Sequence, residues 1–235
     1  MTSSEVAAIA GTLILPDSAK TVSTLLYRPS APTALLVLGH GAGAGMSHPF
    51  MEALAARLAD RQIATFRYNF PFIETKRRFV GSQDERLSTV AAAVSAALAL
   101  RGNHAIAKDL AVFAGGKSMG GRMASLALAQ DRLPAALRGL IFYGFPLHPP
   151  NKPASERGDH LREIERPMLF LQGDRDALAD LTLIEPLCAT LPRATLQIVS
   201  GADHGFHVLK RSGRTDDEVL DQLARLTAEF CARCS

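Results

Sequence analysis

The sequence has little cysteine, no tryptophan and no apolar run long enough to cross a membrane. It has three cysteines, Cys188, Cys231 and Cys234, and a small, odd number of cysteines does not indicate a disulfide framework. Such sparse use is typical of a reducing compartment, so we expect a cytoplasmic protein. The N-terminal segment also lacks the basic stretch that opens a signal peptide, and Glu5 interrupts its apolar residues.

Charge of one sign is not concentrated in any long run either. The net charge is +3, and the densest basic cluster is Lys76-Arg77-Arg78, which we interpret as an exposed loop. Proteins that bind nucleic acids usually carry a longer basic patch on one face. We therefore expect neither a nucleic acid nor a membrane as a partner.

What the sequence does have is a regular alternation of strand-like and helix-like segments over 235 residues. We predict one α/β domain over residues 1–235, with a mostly parallel sheet covered by helices on both faces. The predicted strands are 11–16, 21–29, 33–41, 63–71, 110–116, 138–146, 167–174 and 194–201. The predicted helices are 49–62, 84–100, 121–130, 181–191 and 215–233, the last with Thr215 as its N-cap.

The stretch Gly116-Lys117-Ser118 follows one of these strands and permits two interpretations. A phosphate-binding loop would need another glycine at position 111, where the sequence has Ala111 inside the strand. The apolar run continues to Ala114, so there is no room for the wide loop that wraps a phosphate. We therefore exclude a nucleotide site here.

The second interpretation is a nucleophile elbow, in which a serine lies in a tight turn between a strand and a helix. Its pattern, G-x-S-x-G, is met with Ser118 at the centre, and we predict a positive φ for that serine. Small residues must flank the turn so that the strand and the helix can approach, and Gly115, Gly116, Gly120 and Gly121 provide this. The role of Lys117 stays open, and one interpretation is a tolerated side chain that points away from the pocket. A plain turn without catalysis is the alternative.

A second glycine-rich segment, "GHGAGAG", follows the third predicted strand. It does not meet the G-x-G-x-x-G pattern of a dinucleotide site, and we predict no cofactor. In enzymes with a nucleophile elbow, this loop supplies one N–H of the oxyanion hole. We predict that Ala42, after His40-Gly41, supplies this donor and that Met119 supplies the second. We expect His40 to be a structural histidine or one that supports the site residues, and not an acid–base group.

The remaining partners of a serine nucleophile are sought at two later strand ends. Asp174 and Asp176 follow one strand, and the G-x-x-D spacing favours Asp176, while Asp174 fits a turn or a pair with Arg175. His204 and His207 follow the last strand, and His204 lies in the turn itself. The predicted site is thus Ser118, Asp176 and His204, in the order along the chain expected of an α/β-hydrolase.

Over nearly its whole length the sequence resembles the α/β-hydrolases, and in particular the small dienelactone-hydrolase-like and carboxylesterase-like branch. The segments "GGKSMGGRMAS", "YNFPF" and "YGFPLHPP" are also similar to a subgroup that includes a hydrolase-like domain of a nuclear histone-acetyltransferase complex subunit. The resemblance implies an eight-stranded sheet, a minimal lid and hydrolysis without a metal. Dienelactone hydrolases use a cysteine nucleophile, whereas this chain has Ser118.

The expected function is therefore hydrolysis of a small-molecule ester by a serine hydrolase. The alternative is a non-catalytic protein-interaction domain on the same fold, as the resemblance to the nuclear subunit allows. Cys231 and Cys234 match C-x-x-C, but they lie near the C-terminus of the last predicted helix, where the dipole disfavours a thiolate. Two cysteines also do not complete a zinc site.

Overall fold

The computed structural model describes residues 7–235 except Asp17, Ala19, Arg77, Arg78, His104 and Ala105. Within these residues, eight strands form one sheet in the order β1-β2-β4-β3-β5-β6-β7-β8. They are β1 (Ala7–Ile14), β2 (Thr21–Arg28), β3 (Ala34–Gly39), β4 (Ile63–Tyr68), β5 (Ala111–Lys117), β6 (Leu137–Tyr143), β7 (Met168–Gly173) and β8 (Ala194–Val199).

The sheet is mostly parallel, as predicted. Strand β2 pairs antiparallel with both β1 and β4, and every pairing from β4 to β8 is parallel. All eight predicted strands are present, although β1 begins earlier than expected. The carboxyl ends of β3, β5, β6, β7 and β8 consequently lie side by side at one edge of the sheet, where sites form in such folds.

The described residues form six α-helices, of which five were predicted and the short α2 was not. The helices are α1 (Pro49–Ala59), α2 (Pro71–Glu74), α3 (Gln83–Ala99), α4 (Met119–Ala129), α5 (Leu181–Thr190) and α6 (Asp216–Cys234). Helix α6 begins at the predicted N-cap, where Thr215 and Glu218 form a capping box. Helix α4 starts earlier than predicted, at Met119, directly after Ser118.

The two largest hydrophobic cores of the described residues, one on each face of the sheet, explain why the central strands are apolar throughout. In β3, Leu35 and Val37 pack into the core that contains α3, α4 and α5. Leu36 and Leu38 alternate with them and pack into the core that contains α1 and α6. The helices therefore cover both faces, which confirms the predicted fold class.

The connection between β6 and β7, residues 144–167, packs against α4 instead of forming a separate domain. It contains a 3₁₀ segment, Glu156–Glu163, in which Leu161 is buried. Ser125 Oγ of α4 lies 2.7 Å from His160 Nε2 of this segment. Among the described residues, no helix combines the length and the apolar character needed to cross a membrane.

Candidate active site

Ser118 occupies a strained turn between β5 and α4. Its φ is 51° and its ψ is −115°, a conformation that non-glycine residues seldom adopt. The Ser118 N–H donates to Tyr143 O at 3.1 Å, and Ser118 O accepts from Arg122 N at 3.1 Å. The predicted positive φ is therefore confirmed, and strain of this kind is often found at functional sites.

The four glycines around Ser118 are required by the close approach of β3, β5, β6 and α4. A methyl group on Gly116 or on Gly120 would lie 2.1 Å or 2.3 Å from Gly39 O. One on Gly115 would lie 1.8 Å from Ile141 O, and one on Gly121 would lie 2.8 Å from Gly116 O. Any side chain at these positions would push the strands and the helix apart, as the sequence pattern predicts.

Ser118, His204 and Asp176 form one hydrogen-bonded chain. Ser118 Oγ lies 2.9 Å from His204 Nε2, and His204 Nδ1 lies 2.7 Å from Asp176 Oδ2. The Asp176 side chain is fully buried, whereas 25% of the His204 side chain is exposed. The structure thus brings the three predicted site residues together, with the carboxylate inside and the serine and histidine facing the cavity.

Asp176, and not Asp174, contacts the imidazole. Asp176 Oδ2 also accepts from Gln172 Nε2 at 2.6 Å, and Asp176 Oδ1 accepts from Leu178 N at 2.8 Å. Asp174 is exposed and accepts from Gly201 N at 2.8 Å, so it supports the turn after β8. The spacing argument therefore selects the aspartate that reaches His204.

Gln172 is a site residue that the sequence interpretation missed. It is fully buried at the end of β7, where its Oε1 accepts from Phe145 N at 2.9 Å while its Nε2 holds Asp176. One amide thus joins the loop after β6 to the carboxylate. A polar residue at the end of an otherwise apolar strand, "MLFLQG", was the available signal.

The two histidines after β8 have different surroundings. His204 points into the chain described above, while 72% of the His207 side chain is exposed. His207 Nδ1 lies 2.7 Å from Asp216 Oδ2, and this hydrogen bond raises the pKa of His207. His207 therefore faces solvent. Of the other histidines, His104 lies outside the described residues.

The loop after β3 lies against Ser118, and His40 holds it in place. His40 is fully buried, with Nε2 accepting from Phe70 N at 3.0 Å and Nδ1 2.7 Å from Gly41 O. Because Nε2 accepts, Nδ1 carries the proton and donates to Gly41 O. Burial lowers the pKa of His40 to about 4, which keeps the ring neutral. His40 is thus structural, as expected.

The two predicted oxyanion donors are the N–H groups of Ala42, in the loop after β3, and of Met119, the residue that follows Ser118. Ala42 lines the cavity, and its N–H makes no hydrogen bond to another described residue. Met119 is the first residue of α4, and the N–H groups of a first helical turn have no partner within their helix. The role of both groups as donors to a substrate oxygen stays a prediction.

Lys117 lines the same cavity instead of pointing away from it. Part of the residue is exposed to the cavity, but its Nζ atom is buried and has no hydrogen-bond partner in the described part of the chain. Nζ lies 5.5 Å from the centre of the Phe206 ring. Burial lowers the pKa of Lys117 from 10.5 to about 8, although Asp176 and Asp203 act in the opposite direction.

The cavity beside Ser118 has a volume of about 600 Å³. Its walls come from the loop after β3, α1, the loop after β8 and α6. Apolar side chains dominate the wall, and the Phe50 and Phe206 rings stack with centres 5.8 Å apart. Polar groups at its boundary, apart from Ser118, are His48, Lys117, His204, His207 and Asp216.

Two other features of the sequence contribute nothing to this site. Burial raises the pKa of both Cys231 and Cys234, which lie in the last turn of α6, so neither is an activated thiolate. Arg77 and Arg78 of the basic cluster lie outside the described residues. Within the part of the chain that the structure describes, no group of three or more His, Cys, Asp or Glu side chains could hold a metal ion.

Known structures share this architecture. The chain superposes on dienelactone hydrolase from Anabaena variabilis with a TM-score of 0.73 at 19% identity, covering 97% of this chain and 98% of the other. A cold-adapted esterase from an Arctic intertidal metagenomic library gives 0.66 at 17% identity, covering 98% of both chains. A lidless α/β serine hydrolase from Xanthomonas campestris gives 0.66 at 20% identity, covering 95% of both.

At such identities the structural similarity supports the fold alone, and the family assignment rests on the sequence. A family model described as the alpha/beta hydrolase domain matches residues 32–232. This range includes β3 to β8, all six helices except the end of α6, and the whole Ser118–His204–Asp176 chain. The protein therefore belongs to the alpha/beta hydrolase domain family, within the α/β-hydrolase superfamily.

Proposed function

We propose that this protein, a single domain over residues 1–235, is a serine hydrolase that cleaves small carboxylic esters. The observation that carries the proposal is the hydrogen-bonded chain from Ser118 Oγ through His204 to Asp176, at 2.9 Å and 2.7 Å. It supports nucleophilic catalysis because a serine hydroxyl needs an adjacent base, and the base needs a group that orients it.

In the first half of the reaction, Ser118 Oγ attacks the ester carbonyl carbon and its proton passes to His204 Nε2. The tetrahedral intermediate then collapses, the bond to the alcohol oxygen breaks, and His204 gives its proton to the leaving alcohol. Asp176 remains ionised and stabilises the imidazolium formed between these steps. Its three hydrogen bonds, from His204, Gln172 and Leu178, fix the carboxylate for this role.

In the second half, water replaces the alcohol. His204 takes a proton from the water, the hydroxide oxygen attacks the acyl carbon, and Ser118 leaves as its proton returns from His204. In both halves the carbonyl oxygen carries a developing negative charge. We assign its stabilisation to the N–H groups of Ala42 and Met119, and losing one such donor typically costs about 10²–10³-fold in kcat.

The cavity supports a substrate with one medium-sized apolar group. Its volume of about 600 Å³ falls in the range of small-molecule sites, and its wall is mainly apolar. The segment between β6 and β7 packs against α4 and adds no lid domain. We therefore propose an open site that accepts esters of apolar acids, in the dienelactone-hydrolase-like and carboxylesterase-like branch of the family.

The resemblance to a nuclear complex subunit raises the alternative of an interaction domain without catalysis. Such a domain would need neither a strained serine nor a buried carboxylate hydrogen-bonded to a histidine. Catalysis is for this reason the function we propose. The reducing compartment expected from the cysteine content stays a prediction.

Labelling with a fluorophosphonate tests the nucleophile. We expect one adduct, located on Ser118 by mass spectrometry of the digested protein, and none in Ser118→Ala. Ser47→Ala, which removes an exposed serine of the loop beside the site, is the matched control and should label like the wild type. An adduct that survives Ser118→Ala would contradict the proposal.

Turnover of p-nitrophenyl butyrate tests the base. We expect His204→Ala to lower kcat/KM by about 10³-fold or more, since the serine then lacks its proton acceptor. His207→Ala, which removes the neighbouring exposed histidine, should stay within a few-fold of the wild type. A wild-type protein that binds phosphonate but turns over no ester would exclude the ester substrate while leaving the nucleophile in place.

A further inference from the structure

The turn that carries the Ala42 N–H is exposed and depends on its neighbours for a fixed position. Ala44 N donates to Gly41 O at 3.3 Å and closes this turn, so Ala42 and Gly43 are its two central residues. Both central residues are exposed, and neither N–H donates to a backbone oxygen within the described residues. An oxyanion donor is effective only when its direction is fixed before the charge develops. The segments on either side of the turn therefore have to hold it.

Both segments are anchored to the end of β4 and the residues directly after it. On the N-terminal side, His40 Nε2 accepts from Phe70 N. On the C-terminal side, Met46 N donates to Asn69 Oδ1 at 2.8 Å, and Met46 O accepts from Arg67 Nη1 at 2.8 Å. Arg67 and Asn69 are both buried. Two buried side chains thus hold the two polar backbone groups of Met46.

Glu74 of α2 determines which way the Asn69 amide faces. Asn69 Nδ2 donates to Glu74 Oε1 at 3.0 Å, and the same oxygen accepts from Ser23 N at 2.7 Å. If the amide were turned around, its oxygen would face the carboxylate and its Nδ2 would face the Met46 N–H. The hydrogen bonds from Ser23 to Met46 therefore allow one orientation of Asn69, with Oδ1 toward the loop.

Gly45, the last glycine of "GHGAGAG", permits this contact. A methyl group on Gly45 would lie 3.2 Å from Asn69 Oδ1 and 3.3 Å from Ile73 Cγ2. The second distance is below the optimum of about 3.5–4.0 Å between nonbonded carbon atoms, so a side chain would push the loop away from Asn69. A glycine that the proposed reaction does not use directly thus serves the hydrogen bond between Met46 and Asn69.

We propose that Asn69 is a positioning residue that holds the loop after β3 so that the Ala42 N–H faces the reacting carbonyl oxygen, with Glu74 fixing the Asn69 amide. The inference deepens the serine hydrolase function proposed above and rests on it. Asn69 acts through the Met46 peptide and does not touch the substrate. Because the carbonyl oxygen gains its charge only in the transition state, loss of this support should lower kcat and leave KM nearly unchanged.

Asn69→Leu tests this role, because it removes both amide hydrogen bonds and keeps a similar volume. With p-nitrophenyl butyrate, and with active sites counted by fluorophosphonate titration, we expect kcat to fall about 10²-fold and KM to stay within about threefold. The inhibition constant of a trifluoromethyl ketone, which forms a tetrahedral adduct on Ser118, should rise by the factor by which kcat/KM falls. Asn103→Leu, which changes an exposed asparagine before β5, is the matched control and should behave like the wild type.

A combined substitution separates positioning from packing. Asn69→Asp alone places two carboxylates side by side and should lower kcat. In Asn69→Asp combined with Glu74→Gln, one new carboxylate oxygen can accept from Met46 N and the other from the new amide, whose oxygen can accept from Ser23 N. This double variant should recover kcat to within about fivefold of the wild type. If Asn69→Leu does not fold, the comparison of Asn69→Asp with the double variant carries the same test.

Three results would overturn the inference and leave the proposed function in place. They are an active wild type with an equal kcat in Asn69→Leu, a loss of kcat without a change in the inhibition constant of the trifluoromethyl ketone, and a double variant as slow as Asn69→Leu. A wild type that neither reacts with the phosphonate nor cleaves the ester would instead overturn the proposed function, and the inference with it.

Discussion

At the scale of single residues, burial and hydrogen bonding distinguish two aspartates that are close neighbours in the sequence. Asp176 is buried and accepts hydrogen bonds from His204, Gln172 and Leu178. Asp174 is exposed and accepts one from Gly201. The first holds the imidazole, and the second holds a turn.

This difference predicts unequal effects of the same substitution. Asp176→Asn should lower kcat by about 10³–10⁴-fold, because an amide neither stabilises the imidazolium nor fixes the required tautomer. Asp174→Asn should leave kcat within a few-fold and at most lower the melting temperature. Steady-state kinetics of both variants tests this prediction, and equal losses of kcat would contradict the assignment of Asp176 as the partner of His204.

Lys117 should also influence stability, with a defined dependence on pH. Its pKa falls from 10.5 to about 8 on folding, so the folded chain binds this proton more weakly than the unfolded chain. The resulting cost, roughly 3 kcal/mol at most, is fully present below pH 8 and disappears as the pH rises toward 10.5. Lys117→Met should therefore be more stable than the wild type at pH 7.

Urea denaturation of both proteins measures this effect. The difference in free energy of unfolding between Lys117→Met and the wild type should shrink between pH 8 and 10.5. The difference is the informative quantity because the buried thiols of Cys188 and Cys231, whose pKa values are raised, destabilise the folded state over the same range. A difference that does not change with pH would argue against a buried ammonium.

At the scale of elements, the site residues that could be predicted from the sequence lie at the ends of strands. The turn at Ser118 was predictable because only glycine at positions 116 and 120 tolerates the close approach of Gly39 O. Asp176 and His204 followed from their places after apolar runs. The contacts of Gln172 and Lys117 were not predictable, because they depend on which strands become neighbours. No local pattern in the sequence encodes the strand order.

Helices α1 and α6 form the cavity wall, and the small side chain of Ala53 on α1 contributes to its width. In the wild type we expect kcat/KM to rise from acetate to longer p-nitrophenyl esters, about fourfold for each methylene that becomes buried. Ala53→Phe should abolish this rise while leaving acetate hydrolysis within a few-fold.

Ala99→Phe is the matched control, since Ala99 is exposed at the end of α3, a helix that does not line the cavity. It should keep the wild-type dependence on chain length. An unchanged profile in Ala53→Phe would place the acyl group elsewhere.

At the scale of the whole molecule, the sheet unites residues that lie far apart along the chain. Ser118 and His204 are separated by 86 positions, and Asp176 and His204 by 28. Strands β5, β6, β7 and β8 must all be paired in parallel before the three side chains meet. Pairing of this kind closes long loops and is slow compared with helix formation.

Enzymatic activity should therefore report on the completion of folding. In refolding from urea, helical circular dichroism is expected to return first, and ester turnover only when β8 has joined the sheet. Stopped-flow dichroism and a turnover assay started at matched refolding times would reveal the lag. A phosphonate that reacts only with the assembled site would likewise measure the fraction of molecules in which strands β5 to β8 have paired.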